Sequence, residues 1–173
     1  MNKRRLQLVL IFVAFALPAL LAILMQTRWF HWEPETTRNR GELIQPVIAL
    51  PALGDAAAIA DGHRWTVLVR VPARCDAGCT RRIQLLGRIR EAQGKEMDRV
   101  QMLAWPASGS PVEAPYASWQ PAEAIASALN LPEGAVVLID PLGNAMMRYR
   151  IDADPTDVRK DVAHLLRWSK VGT

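Results

Sequence analysis

Only two cysteines occur in the 173-residue chain, and they stand four positions apart in Arg74-Cys75-Asp76-Ala77-Gly78-Cys79-Thr80. The thiolate of cysteine is the nucleophile of disulfide exchange and a soft ligand for metals such as Cu(I). A pair at this spacing in a first helical turn holds its Cα atoms about 6 Å apart, within reach of a disulfide. Such a bridge closes a very small loop and stabilises little. A working dithiol is therefore the better reading, with a structural bridge as the alternative. Arg74, Arg81 and Arg82 surround the pair and favour thiolate, while Asp76 opposes it. Cys79 falls on one helical face with Ile83 and Leu86. That leaves Cys75 as the exposed, attacking thiol and Cys79 as the resolving one.

The elements that must carry this pair follow from periodicity. Trp65–Val71 is short, apolar and β-branched, a buried strand running into the cysteines. Thr80–Gln93 reads as a helix ending before Gly94. Val100–Trp105 is a second strand, and Pro106–Trp119 is a Pro-, Ser- and Gly-rich loop. Pro121–Leu129 is an Ala-rich helix, Ala135–Ile139 a third strand and Ala145–Ile151 a fourth. Asp140-Pro141-Leu142-Gly143-Asn144 joins the last two strands as a turn. Asp154 caps a final helix with Pro155 at its first position, and Val158, Val162, Leu165 and Leu166 form its apolar face. The order β-α-β-α-β-β-α needs crossover helices for its parallel strands and a hairpin for its antiparallel pair. The fold class is thus α/β, a thioredoxin-like mixed sheet with the cysteine pair at the end of the first strand.

The N-terminus indicates the compartment. Leu6–Met25 is 20 residues without a charge, after Lys3, Arg4 and Arg5. About 20 apolar residues cross a bilayer, whereas the apolar region of a cleaved signal is shorter. An uncleaved anchor is the reading, with a cleaved signal as the alternative. The basic leader, against Arg28 alone beyond the run, keeps the N-terminus in the cytoplasm. The rest is then in an oxidising compartment such as a bacterial periplasm, where disulfides form. Four of the 21 basic residues, Lys3, Arg4, Arg5 and Arg28, flank the apolar run, so the chain beyond Arg28 carries 17 basic against 17 acidic residues. The net charge of +4 reports membrane orientation, and the absence of a basic, aromatic-interleaved stripe argues against nucleic acid. Three parts result: an anchor over 1–27, a juxtamembrane tether and lead-in over 28–61, and a thioredoxin-like domain over 62–173. Trp29, Phe30 and Trp32 suit an interfacial belt. Leu43-Ile44 and Val47-Ile48 are expected to pack on the domain edge.

Other ligand candidates read more simply. His31 sits beside the membrane, His63 in a loop and His164 on the last helix between Ala163 and Leu165. Of Met146 and Met147, adjacent in a strand, one must face the core. The chain has no Gly-rich phosphate loop, no Ser-x-Gly elbow and no His-Glu-x-x-His. The cysteine spacing also differs from that of covalent haem attachment.

Cys75-Asp76-Ala77-Gly78-Cys79 and Leu138-Ile139-Asp140-Pro141-Leu142-Gly143, with the anchor topology, resemble the Sco family over roughly residues 39–170. A short bacterial branch associated with oxidase assembly is closer still, through Asn39-Arg40-Gly41-Glu42-Leu43-Ile44 and the Asp-Pro-Leu-Gly-Asn hairpin. The resemblance implies a membrane-anchored protein of the bacterial inner membrane, acting in the periplasm on the copper centre of cytochrome c oxidase subunit II. Its partners would be that subunit or other oxidase assembly factors. Cys75 and Cys79 would exchange disulfides or hold Cu(I) transiently. Two departures bear on copper. Thr80 stands where the family has Pro, and Pro132 stands where it has its distal His ligand. Both tilt the reading toward a redox or accessory role. The alternatives are a non-catalytic assembly factor and a general periplasmic thiol reductase.

Overall fold

The computed structural model describes residues 3–26, 39–54, 56–60, 62–107, 112–113 and 115–169. The chain divides into two compact units, Met1–Arg38 and Asn39–Thr173. In the first, the apolar run forms a helix, α1 (Lys3–Gln26), which contains Pro18. Among the described residues, no helix is long and apolar enough to cross a membrane. The expected span is therefore present as a helix and is not established as a transmembrane segment. His31 and the aromatic belt of Trp29, Phe30 and Trp32 lie outside the described residues.

The second unit is built from β1 (Glu42–Ala49), α2 (Ala57–Ala60), β2 (Trp65–Val71), α3 (Ala77–Gly87), β3 (Val100–Pro106), β4 (Ala117–Ser118), α4 (Glu123–Leu129), β5 (Val136–Ile139), β6 (Asn144–Tyr149) and α5 (Pro155–Trp168). The strands form one sheet in the order β1-β6-β5-β2-β3-β4. β2 runs parallel to β3 and antiparallel to β5. β5 and β6 make the antiparallel hairpin. The mixed thioredoxin-like sheet follows as the sequence predicts.

Alternation along each strand divides the core between the two faces of the sheet. Val67, Val69 and Val71 of β2 and Val136 and Leu138 of β5 pack with Leu86, Val158, Val162 and Leu166 beneath α3 and α5. Leu68, Leu103, Val137 and Ile139 point the other way, toward Ile59, Ile125 and Leu129 of α2 and α4. Full burial of one such side chain contributes about 1.5–3 kcal/mol, so β2, buried on both faces, is a rigid base for the cysteine loop.

Three differences from the sequence reading have physical causes. Glu42–Ala49, read as a lead-in, is a full edge strand paired with β6. Its burial is irregular and Pro46 interrupts it, so it lacks the period of a strand. The helix expected at Thr80–Gln93 starts at Ala77 and ends at Gly87. Two 3-10 segments follow, broken at Gly94 with φ 58°. The hairpin turn behaves as expected: Gly143 has φ 86°, and the Asp140 carboxylate accepts from the backbone N–H of Leu142 and Asn144 at 2.9 and 2.8 Å.

Candidate functional site

The cysteines sit where β2 hands over to α3. Pro72 follows the strand and has no N–H with which to extend the ladder. Ala73 N–H donates instead to Glu133 Oε2 at 3.1 Å, across the loop that leads into β5. Asp76 is the N-cap of α3, and its carboxylate accepts from Cys79 N–H at 2.8 Å. Asp at a cap satisfies one of the four orphan donors of a first turn. That is why the helix begins three residues earlier than its apolar periodicity suggests. It also gives Asp76 a structural role where the sequence suggested only an opposing charge.

Cys75 lies just before the cap and is exposed; Cys79 lies in the first turn and is half-buried. The two are disulfide-bonded, with Cα atoms 5.2 Å apart. Two grooves meet at the bridge. One, of about 260 Å³, is bordered by Val71, Ala73, Cys75, Ile83, Val112 and Tyr116. The other, of about 620 Å³, runs past Arg74, Cys75, Cys79, Arg82, Glu133 and Ile151. Cys75 borders both.

Arg82 and Tyr116 hold this rim, and the sequence reading gave neither that role. The Arg82 guanidinium donates to the carbonyls of Gly134, Arg150 and Ala153 at 2.7, 3.1 and 3.2 Å. It thus ties α3 to the β5 lead-in and to the turn after β6. Partial desolvation holds Arg82 below its ordinary value. Tyr116 Oη donates to Ile83 O at 2.6 Å, and burial pushes its hydroxyl well above the ordinary tyrosine value. No pattern distinguishes Arg82 from neighbouring Arg81, because the three carbonyls come from segments 52 to 71 residues away.

The other candidate ligands stay apart from the sulfurs. His63 is exposed at φ 45°, before β2 begins, while Cys75 follows its end. A seven-residue strand alone separates those ends by about 20 Å. His164 lies on α5 with its ring 6.3 Å from that of Trp168. Met147 is buried, with Tyr149 Oη 3.0 Å from its sulfur, and Met146 is half-buried. Pro132 is exposed, and its neighbours Glu133 and Gly134 border the larger groove. Among the described residues, no group of three or more His, Cys, Asp or Glu could hold a metal. A soft ion would find two sulfurs here, once they are reduced, and no third ligand of these types.

The bridge itself can do exchange chemistry. A thiolate that attacks the exposed Cys75 sulfur forms a mixed disulfide and expels Cys79 as thiolate. Cys79 then lies in the first turn of α3, where the helix dipole favours negative charge.

A family model described as transmembrane-like, thioredoxin-like, C-terminal domain matches residues 65–169. No curated protein matches the chain. Among solved structures, a thiol:disulfide interchange protein from a Bacteroides species aligns with TM-score 0.47 at 11% identity, over 65% of this chain and 80% of its own. Trgpx in its apo form aligns with TM-score 0.46 at 15% identity, over 61% and 82%. Copper-bound ScoI of Arabidopsis thaliana aligns with TM-score 0.45 at 14% identity, over 62% and 86%.

Proposed function

This chain belongs to the transmembrane-like, thioredoxin-like, C-terminal domain family, and from that premise we propose that it is a Sco-like, membrane-anchored thiol–disulfide exchange protein of the bacterial periplasm. Its task is the assembly of cytochrome c oxidase at the copper centre of subunit II. The observation that carries this reading is the Cys75–Cys79 bridge, with Cys75 exposed where two grooves meet.

The exchange balances as follows. A thiolate of the partner's dithiol attacks Cys75, the Cys75–Cys79 bond breaks, and Cys79 leaves and takes up a proton. The partner's second thiol then attacks the mixed disulfide and expels Cys75, which takes up the second proton. Two electrons and two protons pass from partner to bridge. Run in reverse, from the reduced form, the same steps reduce a disulfide in the partner, as the cysteines of an oxidase copper site require before metallation. Cu(I), as cargo, would have the two reduced sulfurs as ligands. With no third ligand among the described residues, exchange ranks above copper carriage.

Anchoring is part of the proposal. A helix of 24 residues, as α1 is, is about 36 Å long, against a hydrocarbon core of about 30 Å. The uncharged 6–25 run and the basic leader support an N-in orientation. A reporter fused after Thr173 is expected to be active only in the periplasm.

The test of function is reduction of a small aromatic disulfide by the reduced protein, beside an anaerobic Cu(I) competition titration. Both are compared with the Cys75→Ser, Cys79→Ser variant. Exchange with weak copper binding is the expected result. Tight stoichiometric Cu(I) with inert thiols makes this a copper carrier, and inactivity in both leaves a non-catalytic assembly factor.

A further inference from the structure

The outward face of α5 is a basic, Trp-bearing surface on the same helix that grips the start of the domain. We propose that this face docks on an anionic phospholipid bilayer. The inference rests on the anchored reading above and goes beyond it.

Four residues of the helix, Arg159, Lys160, His164 and Arg167, are exposed and basic, and Trp168 is 73% exposed. At 100° per residue Lys160, His164 and Arg167 fall on one stripe, with the half-exposed Asp157 and then Trp168 on one flank and Arg159 farther round on the other. The opposite stripe, Val158, Val162 and Leu166, is in the core. The acidic residues of the helix are paired, capping or turned inward. Asp161 is 3% exposed and turned inward. Asp157 pairs with Arg40, its Oδ1 lying 3.1 Å from Nε. Asp154, at the cap, accepts from Thr156 N–H at 2.7 Å. The exposed stripe therefore presents positive charge with an indole at its end. Clustered Lys and Arg are attracted to anionic headgroups, and an exposed indole suits the headgroup region.

A second observation joins this face to the membrane. The domain begins at Asn39, and its first residues are fixed to α5 itself. The N–H groups of Arg40 and Gly41 donate to Asp161 Oδ2 at 2.9 and 3.0 Å. The chain that leaves the anchor helix therefore joins the domain on the helix whose free face is basic. Twelve residues, 27–38, separate the end of α1 from Asn39. Charge complementarity then selects anionic lipid as the occupant.

The experiment uses the full chain reconstituted in vesicles whose acyl chains carry bromine as a quencher. The part of the fluorescence that depends on Trp168 is the difference between the protein and its Trp168→Phe variant. With about one-third phosphatidylglycerol in phosphatidylcholine, that part is expected to be strongly quenched, and less so at high salt, because surface charges are screened. In phosphatidylcholine alone it stays unquenched. The Arg159→Gln, Lys160→Gln, Arg167→Gln variant is expected to lose the quenching at least fivefold, while its Cys75–Cys79 bridge is reduced by a small thiol at the unchanged rate. No quenching in anionic vesicles, equal quenching in neutral ones, or full quenching in the triple variant would each overturn the proposal. An alkaline wash separates it from the anchored reading. Protein washed off neutral vesicles sinks the anchor, yet anionic-selective quenching of Trp168 in the same preparation still upholds this surface.

Discussion

Two regions of the domain are held in opposite ways. The cysteine bridge is local and open, one covalent bond across four positions and one capping carboxylate, while Arg82 ties the rim beside it to segments 52 to 71 residues away. The Asp161 node is long-range and closed. Its Oδ2 accepts from Arg40 N–H, Gly41 N–H and Tyr149 Oη, the last at 2.9 Å, so residues 120 positions apart meet at one oxygen. Beside the node, burial and the Asp161 carboxylate push the Tyr149 hydroxyl far above its ordinary value, which keeps it protonated and donating. The difference teaches a division of labour. Opening the bridge would change few contacts, whereas rigidity comes from a buried carboxylate whose removal would strand three donors.

The largest effect is expected at the rim, on activity far more than on stability. Cys75→Ser should bring disulfide exchange down to the uncatalysed rate, because no other thiol of the chain can attack through an exposed position. The Cys75→Ser, Cys79→Ser pair should cost at most about 2 kcal/mol of stability, the loop-closure value for so short a loop. Urea unfolding of oxidised protein against that variant checks it. A loss well above this would mean that the bridge is a staple after all.

Next comes the node. Asp161→Ala should cost about 3–5 kcal/mol, as expected when buried donors lose a charged acceptor. Exchange by the protein that remains folded should be unchanged. Gly41→Ala should cost about 2 kcal/mol by overpacking, since its Cβ would come within 2.6 Å of Met147 Cγ and Tyr149 Cε1. Denaturation midpoints and exchange rates, measured on the same samples, test whether the two regions are independent. If Asp161→Ala slows exchange in folded protein, the comparison fails.

The asymmetry also explains what the sequence discloses. The rim was legible because reactive residue types are rare and their spacing is local, and β2 was legible because it is buried on both faces. The four strands and the hairpin followed from period and turn chemistry. The node was not legible. Asp161 looks like any acidic helix residue until Arg40, Gly41 and Tyr149 are brought to it, and β1 has no strand period because it is itself the edge of the sheet and Pro46 interrupts it. The start of α3 was misplaced for a different reason. Apolar periodicity marks where a helix packs, whereas its first residue is set by the cap, here Asp76. Asp76→Ala should therefore cost about 1 kcal/mol and fray the turn that carries Cys79. The check is faster amide exchange at Cys79 and Thr80, with little change at Leu86.

The smallest expected effect sharpens the same comparison at the start of the domain, where an exposed carboxylate stands beside the buried one. Glu42 opens β1, and Arg148 donates to it from Nη2 at 2.8 Å and from Nε at 3.1 Å, on the sheet edge. These hydrogen bonds, then the charge of Arg148, hold the Glu42 carboxyl below its ordinary value of 4.5. A folded-state value below the unfolded one means that the unfolded chain binds the proton more readily. The pair thus stabilises the fold above pH 4.5, and the contribution fades as pH falls through the lower folded-state value. Glu42→Gln should be slightly less stable than the parent at neutral pH and should converge with it in acid. High salt should narrow the gap at neutral pH, because the pair is exposed and screened. Unfolding free energies of both proteins across that range decide it. A gap that persists undiminished in acid would mean that Glu42 acts through packing of the edge strand. The lead-in would then be held by shape as well as by Asp161, and the contrast between a closed node and an open surface would lose its exposed half.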